Sequence, residues 1–190
     1  MLTPDYLRTK FDAGLPYDAY VQTAQPGHAV SWGEFKEAVQ LNSQQRSLLG
    51  GFTREMNVLV SSGTWCGDCV QQCPFLTHIE SANPTAIRVR FVDRDEHADL
   101  AESLKICGGL RVPVAVFMNE DFDLVSLFGD RTLHRYRAIA ARQLGASCPL
   151  PGAPVAADER DATLQDWIDE FERVQLLLRL STKLRQRHAD

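Results

Sequence analysis

The feature that most constrains this chain is a pair of cysteines placed between a predicted strand and a predicted helix. Residues 57–61 (NVLVS) form a short, apolar, β-branched run, which is typical of a buried strand. The segment 65–69 (WCGDC) follows after a short loop, and a helical pattern then continues to about residue 81. A cysteine at the start of a helix faces unpaired backbone N–H groups and the positive end of the helix dipole, and both lower the pKa of its thiol. The pattern therefore indicates a redox-active thiol pair.

The spacing of the two cysteines predicts different roles for them. Cys69 follows Cys66 by three residues, which places its sulfur about one helical turn further on and within reach of a small disulfide ring. We expect Cys66 to be the exposed thiol that attacks a disulfide, because the thiolate is the nucleophile in disulfide exchange. Cys69 is then expected to be the more buried thiol that resolves the mixed disulfide.

Composition narrows the class of protein. The 190 residues carry 20 basic and 25 acidic side chains, and this net charge of −5 gives no case for a nucleic-acid surface. Five cysteines are too few for a disulfide scaffold, and their number is odd. No apolar run has the length of a membrane span, and the N-terminus, which begins with Met1, lacks the apolar core of a signal peptide. We therefore expect no membrane association and a cytoplasmic location with reduced thiols.

The chain beyond the cysteine pair alternates predicted strands and helices. We expect a strand over 87–92, a short helix over 95–104, strands over 113–118 and 124–128, and a helix over 132–144. Strands that alternate with helices in this way predict an α/β domain with a central sheet.

The N-terminal flank is predicted to be helical. Residues 1–52 form an extension in which Ser31 is expected to cap a helix, with Glu34 completing a capping box. The pair Gly50-Gly51 is expected to end the helical part of this extension.

The C-terminal flank is predicted to hold one long helix. We place the α/β domain over 53–145, a Gly-, Pro- and Ala-rich linker over 146–157, and a C-terminal helix over 158–190 that packs on the same domain. One face of this helix is apolar and comprises Leu164, Trp167, Ile168, Phe171, Val174 and Leu178. We expect that face to pack on the chain itself, and the alternative is a surface for a dimer or another partner.

The cysteine motif and its surroundings resemble the thioredoxin superfamily. The resemblance is carried by residues 57–60 (NVLV), by 65–69 (WCGDC) and by Val112-Pro113 before a later apolar strand, and it covers roughly residues 50–145. It implies a thioredoxin-like α/β fold, in which helices flank a mixed sheet of four or slightly more strands and further helices extend both ends. Together with the motif, these extensions resemble bacterial thioredoxin-like proteins that carry WCGDC.

The resemblance also implies thiol–disulfide oxidoreductase activity and a set of site residues. These are the catalytic pair Cys66 and Cys69 and the supporting residues Trp65, Gly67, Asp68, Val112 and Pro113. Pro113 is expected to be cis, the backbone of Val112 to bind the substrate chain, and Trp65 to shield the site. No cofactor or metal is needed. Electrons would come from an upstream thiol reductase or a small thiol, and the substrate would be a disulfide-containing protein or a small thiol. An oligomer through the C-terminal helix is a further possibility.

Two departures from thioredoxin concern proton transfer. Thioredoxin has Gly-Pro between its cysteines, whereas this chain has Gly67-Asp68, and a carboxylate there would disfavour the thiolate or accept its proton. The position of thioredoxin's buried acid, six residues before the first cysteine, is Val60 here. We expect Asp68, Glu55 or water to replace that acid.

Alternatives stay open for the other cysteines. A structural zinc site would combine the pair with Cys73 and with Cys107 or His78. Without zinc, Cys73 is a core or semi-exposed residue or a third redox thiol, and Cys107 is a loop or regulatory thiol. Cys148 in the linker is expected to be inert or incidentally oxidisable.

Alternatives also stay open for the function. The chain would then be a reductase dedicated to one partner, or a binding or redox-sensor module with little turnover. One set of arginines is expected to be a solvated helix face or, alternatively, a docking site for an acidic substrate or a low-molecular-weight thiol. The set comprises Arg131, Arg135, Arg137 and Arg142.

Overall fold

A mixed four-stranded sheet lies at the centre of the computed structural model, which describes residues 1–144, 156 and 158–188. The strands are β1 (Met56–Ser62), β2 (Ile87–Asp93), β3 (Val114–Met118) and β4 (Leu124–Gly129). Their order is β2-β1-β3-β4, with β1 parallel to β2 and antiparallel to β3, and with β3 antiparallel to β4. All four predicted strands are confirmed, because each observed end lies within about one residue of the predicted end.

Helices cover both faces of the sheet. Within the described ranges they are α1 (Pro4–Ala13), α2 (Tyr17–Gln22), α3 (Pro26–Glu37), α4 (Ser43–Gly50), α5 (Gly67–Ala82), α6 (Ala98–Ser103), α7 (Leu133–Leu144), α8 (Glu159–Leu180) and α9 (Thr182–His188). None of these helices is both long enough and apolar enough to cross a membrane. The mixed sheet with flanking helices is the expected fold class.

Strand β1 is buried along its whole length because it lies between two cores. Its successive side chains point to opposite faces of the sheet. Val58 and Val60 enter the larger core, which also contains side chains of α5 and α8. Leu59 enters the smaller core on the other face, together with Phe11 of α1 and Leu100 of α6. The strand that leads into the cysteine motif is therefore fixed from both sides.

Helices α2, α3 and α4 of the N-terminal extension contribute side chains to the larger core. Tyr20 and Trp32 are almost fully buried, and the Tyr20 ring stacks on Phe91 of β2 with 5.5 Å between ring centroids. Leu15 adds a short bridge to the outer edge of β2, where its N–H and C=O both bond to the backbone of Phe91. The extension therefore supports the sheet directly.

The prediction for Ser31 is wrong. Helix α3 begins at Pro26, so Ser31 lies inside the helix. Proline favours the first position of a helix because its φ is preset and it has no N–H to leave unpaired. A capping box forms instead at α4, where the side chain of Asn42 and that of Gln45 each accept a bond from the other's backbone N–H. The predicted end at Gly50 and Gly51 is confirmed.

The C-terminal flank contains two helices instead of the single one predicted. Ser181 separates α8 from α9, and its hydroxyl accepts a bond from the N–H of Leu184, which makes it the cap of the second helix. The apolar face is confirmed: its six residues are buried, and Phe171 and Trp167 pack edge-on against Phe117 and Phe128 of the sheet. The predicted linker, except Ala156, and the cysteine at position 148 lie outside the described residues.

Candidate redox site

The two cysteines lie where β1 turns into α5. Cys66 is the N-cap of α5, and its own N–H donates to the carbonyl of Gly63 at 3.0 Å. Its side chain is half-buried, whereas Cys69, one turn into the helix, is fully buried. The structure therefore brings the pair together, with one sulfur near the surface and the other beneath it.

The Val112-Pro113 segment lies against the outer thiol. The Cys66 thiol donates to the carbonyl of Val112 over 3.8 Å, and the peptide bond between Val112 and Pro113 is cis. Gly129, at the end of β4, packs closely against the other side of this segment, on the backbone of Pro113. Its φ is +149°, and a Cβ atom there would lie only 2.4 Å from the Pro113 carbonyl oxygen.

Trp65 lies beside the pair on the surface. Its side chain is 46% exposed, and the guanidinium group of Arg94 lies 4.6 Å from the ring centroid. The indole packs so closely on Gly63 that a Cβ atom there would come within 2.7 Å of the ring. Trp65 is therefore held at the rim of the site by a glycine and an arginine that the sequence pattern did not indicate.

Asp68 forms ion pairs with two arginines of the segment after β4. Arg131 donates to one carboxylate oxygen through Nε and Nη2 at 2.9 and 2.6 Å, and Arg135 donates to the other through Nε at 2.7 Å. Burial raises the pKa of Asp68, but the hydrogen bonds and charges of these arginines outweigh burial and hold the pKa below its usual value. The carboxylate is thus a paired anion, which does not suit it as the proton acceptor for Cys69.

Glu55 is also poorly placed as a proton acceptor. It precedes β1, whereas the cysteines follow that strand, and its carboxylate bonds to Arg88 and Asn57. The structure therefore does not bring Glu55 to the site.

Hydroxyl and thiol groups surround the inner cysteine in place of a carboxylate. Val60 is fully buried at the position of the expected acid. Ser62 and Cys73 are also fully buried, with 3.6 Å between Oγ and Sγ, and both interact with the Cys69 thiol. The buried Tyr20 hydroxyl lies in the same region and interacts with Ser62.

The pKa values of the pair follow from burial and from mutual contact. Burial raises the pKa of the Cys69 thiol well above its usual value. The hydrogen bond with Cys69 and burial raise the pKa of Cys66, because two adjacent thiolates repel one another. The backbone N–H groups of Cys69 and Asp68 act in the opposite direction and favour a Cys66 thiolate. The pair can therefore hold one thiolate at a time, and the less buried sulfur is the better place for it.

Trp32 of the N-terminal extension fixes the loop before the motif. Its indole N–H donates to the carbonyl of Thr64 at 2.9 Å, while its ring is fully buried. Sequence reasoning missed this contact. The only signal was a tryptophan in a helical segment, whose N–H usually has a partner when the ring is buried.

Two of the candidate zinc ligands, Cys107 and His78, do not join the cysteine pair. Cys107 is in an exposed loop with φ +51°, and the His78 ring bonds to a backbone carbonyl of α3. The structure brings neither to the cysteine pair. Over the ranges that the structure describes, no group of three or more His, Cys, Asp or Glu side chains is arranged to hold a metal ion. Of the candidate ligands that the structure describes, Cys73 is the one that lies beside the pair.

The predicted arginine set is not a uniformly solvated face. Arg131 and Arg135 bind Asp68, while Arg142 binds Glu159 at 2.7 Å and Arg137 contacts the ring of His134. Three of these arginines line a cavity of about 370 Å³ beside the outer thiol. Its lining residues are Cys66, Gly67, Asp68, Gln71, Arg131, Arg135, Ile139, Arg142 and Gln143.

Comparisons with solved structures agree with the overall fold. A crystal structure of a protein of unknown function from Pseudomonas aeruginosa is similar with a TM-score of 0.64 and 21% identity, over 86% of this chain and 93% of that one. An HIV epitope-scaffold is similar with a TM-score of 0.59 and 20% identity, over 88% and 92% of the two chains. Both similarities concern the fold alone. No curated protein matches the chain.

A match to a sequence family covers the sheet and the cysteine pair. The family is described as thioredoxin, and its profile matches residues 14–141, which is more than half of the chain. The matched segment begins inside the N-terminal extension, so the family pattern includes α2 and α3 as well as the sheet. We conclude that this chain belongs to the thioredoxin family.

Proposed function

We propose that this protein is a thiol–disulfide oxidoreductase that works through a dithiol–disulfide cycle of Cys66 and Cys69. The observation that carries the proposal is the arrangement of the two sulfurs. Cys66 is half-buried at the start of α5 and touches the Val112 carbonyl, while Cys69 is buried one turn below. Family membership supports the same chemistry. The finer resemblance, to bacterial thioredoxin-like proteins with WCGDC, and a cytoplasmic location belong to this proposal.

The cycle has two exchange steps. The Cys66 thiolate attacks one sulfur of a substrate disulfide, the S–S bond breaks, and the departing thiolate takes up a proton. Cys69 then loses its proton and attacks the Cys66 sulfur of the mixed disulfide. This second step closes the intramolecular disulfide and releases the remaining substrate thiol. The substrate gains two electrons, and a thiol reductant upstream returns the pair to its reduced form.

The supporting residues shape access to the outer sulfur. The backbone of Val112, before the cis Pro113, is the segment along which an extended substrate chain would lie. Trp65 shields one side of the motif. Gly67 leaves space at the first helical position, because a Cβ atom there would meet nothing within 4 Å. The predicted apolar face is buried, so an oligomer would have to form through other residues of the C-terminal helix. In α8, the exposed leucines are Leu176, Leu177 and Leu180.

The test is reduction of insulin disulfides by dithiothreitol, measured as turbidity, with and without the protein. We expect the wild type to accelerate the reaction and Cys66→Ser to abolish the acceleration. Cys69→Ser is expected to accumulate mixed disulfides through Cys66, which mass spectrometry would identify. Cys107→Ser is the matched control, because that cysteine is exposed and does not form a cluster with the pair. Unchanged acceleration by Cys66→Ser would disprove the proposal.

A redox-sensor module is the second candidate function. It is favoured by Val60, because this apolar side chain stands at the position of the expected acid and cannot accept the Cys69 proton, so release of substrate would be slow. A sensor would exchange reversibly between dithiol and disulfide in a redox buffer. It would not reduce insulin faster than dithiothreitol alone.

A further inference from the structure

The cavity beside Cys66 lies between the start of α5 and α7, and its size suits a small molecule. Its volume is about 370 Å³, near the lower end of the range of about 300–1,000 Å³ for ligand pockets. Gly67 leaves part of it open, and Ile139 gives it a short apolar patch. Cys66 lines this cavity, and its sulfur also contacts the carbonyl of Val112.

The charged groups around this cavity do not cancel. Arg131, Arg135 and Arg142 line it, and their main partners are the carboxylates of Asp68 and Glu159. Arg131 also lies 3.9 Å from a carboxylate oxygen of Asp130. Three guanidinium groups against two carboxylates leave one net positive charge at the rim. Nearby Asp130 does not reverse this balance, because it is buried and paired with Arg111.

The three arginines have different amounts of bonding capacity left for a ligand. Arg135 is mostly buried and donates to Asp68 and to Glu159, so it is a fixed wall of the cavity. The side chain of Arg142 is 59% exposed, and in the described part of the chain only its Nη1 donates, to Glu159. A guanidinium group has five N–H donors in a planar fork that matches a carboxylate. Arg142 is therefore the residue best placed to bind an incoming anion.

We propose that this cavity binds small disulfides that carry carboxylates, and that it presents their S–S bond to Cys66. The inference rests on the proposed function and names a substrate class for the same thiol. The Cys66 thiolate attacks one sulfur of the small disulfide and forms a mixed disulfide, and the S–S bond breaks to release one carboxylate-bearing thiolate, which takes up a proton. Cys69 then loses its proton, attacks the Cys66 sulfur and closes the intramolecular disulfide, and the second thiolate leaves and takes up a proton. Dithiothreitol reduces that disulfide again in the assay. Arg142 binds the carboxylate and is a positioning residue.

The experiment compares three small disulfides of similar size. These are dithiodiglycolate, which is anionic, bis(2-hydroxyethyl) disulfide, which is neutral, and cystamine, which is cationic. Their kcat/KM values are measured for the wild type, for Arg142→Gln and for Arg137→Gln. The last variant removes the same charge from the same helix, but Arg137 contacts His134 and does not line the cavity.

We expect Arg142→Gln to lower the ratio of anionic to neutral kcat/KM about three- to five-fold, the range of one partly exposed ion pair. The ratio of cationic to neutral kcat/KM is expected to rise. Both effects should shrink at high ionic strength, because salt screens exposed charges. Arg137→Gln is expected to leave the ratios within about two-fold of the wild type.

Several results would overturn the inference. One is an equal change for all three disulfides in Arg142→Gln, and another is the same change in Arg137→Gln, which would indicate general surface charge. A charge preference that is seen only with disulfides in acidic peptides would assign the cavity rim to a protein partner and would also overturn it. A wild-type protein that reduces none of these disulfides, insulin included, would instead disprove the oxidoreductase function itself.

Discussion

Replacing Asp68 with asparagine removes one negative charge at the centre of an ion-pair network and leaves the shape of the side chain almost unchanged. In the wild type, the carboxylate accepts bonds from Arg131 and Arg135, and its side chain is 15% exposed. The amide that replaces this carboxylate would turn donor hydrogens toward one of these arginines. Arg135 would keep Glu159, whereas Arg131 would lose both bonds to this position.

The magnitude follows from burial. Removal of one partner of a fully buried ion pair costs about 3–5 kcal/mol, and exposed pairs are worth about 0–1 kcal/mol. The pair between Asp68 and Arg131 lies between these limits, because their side chains are 15% and 25% exposed. We therefore expect a loss of about 2–4 kcal/mol in the free energy of unfolding. For a chain of this size, that loss lowers the melting temperature by roughly 5–15 °C.

The pH dependence of this loss has a definite sign. The arginines lower the pKa of Asp68 in the folded state below its value of about 4 in the unfolded chain. Its contribution to stability is therefore fully present above about pH 4 and disappears as the pH falls through the folded value. The difference between the wild type and Asp68→Asn should be largest at neutral pH and should vanish in acid.

The assay is thermal unfolding followed by circular dichroism at several pH values. Asp18→Asn is the control, because Asp18 also forms an ion pair, with Lys36 at 2.6 Å, but its side chain is 75% exposed. This control should lose less than about 1 kcal/mol. Equal melting temperatures of the two variants at neutral pH would refute the reasoning. It would also be refuted if the difference in melting temperature between the wild type and Asp68→Asn did not shrink as the pH is lowered.

Two further predictions concern the thiol pair and its loop. Burial raises the pKa of Cys69, so the rate at which Cys69 resolves the mixed disulfide should increase about tenfold per pH unit from about pH 7 to 9. Quenched-flow mass spectrometry measures this rate, and a plateau below about pH 8 would contradict the raised pKa of Cys69. Gly129→Ala should lower the free energy of unfolding, measured by chemical denaturation, by more than about 2 kcal/mol and should slow insulin reduction. The reason is that its Cβ would lie 2.4 Å from the Pro113 carbonyl oxygen, in a backbone conformation that favours glycine. A variant as stable and active as the wild type would show that β4 and the loop can separate.

Local patterns were enough to predict the strands and the placement of the cysteines. Residues 57–61 are apolar and β-branched, and they fold as a buried strand because both faces of β1 meet a core. Ser31 shows where local patterns fail. Its capping signature competed with Pro26, and the proline determined where the helix begins.

The electrostatic partners of the site could not be predicted from local patterns. Asp68 and Arg131 are far apart in the sequence, and only the packing of the segment after β4 on the start of α5 brings them together. The same holds for Tyr20 and Trp32, whose places beside the motif depend on how the N-terminal extension packs on the sheet. Contacts of this kind require the tertiary fold, because they have no sequence period.

The bridge between Leu15 and β2 has a consequence for how this protein behaves at high concentration. An uncovered edge strand offers a row of unpaired N–H and C=O groups to which another chain can add. At Phe91 these groups are already bonded, to the backbone of Leu15 at 2.9 and 2.8 Å. The segment that links α1 to α2 thus blocks this edge of the sheet at Phe91 against the addition of another strand, and so lowers the tendency toward edge-to-edge aggregation.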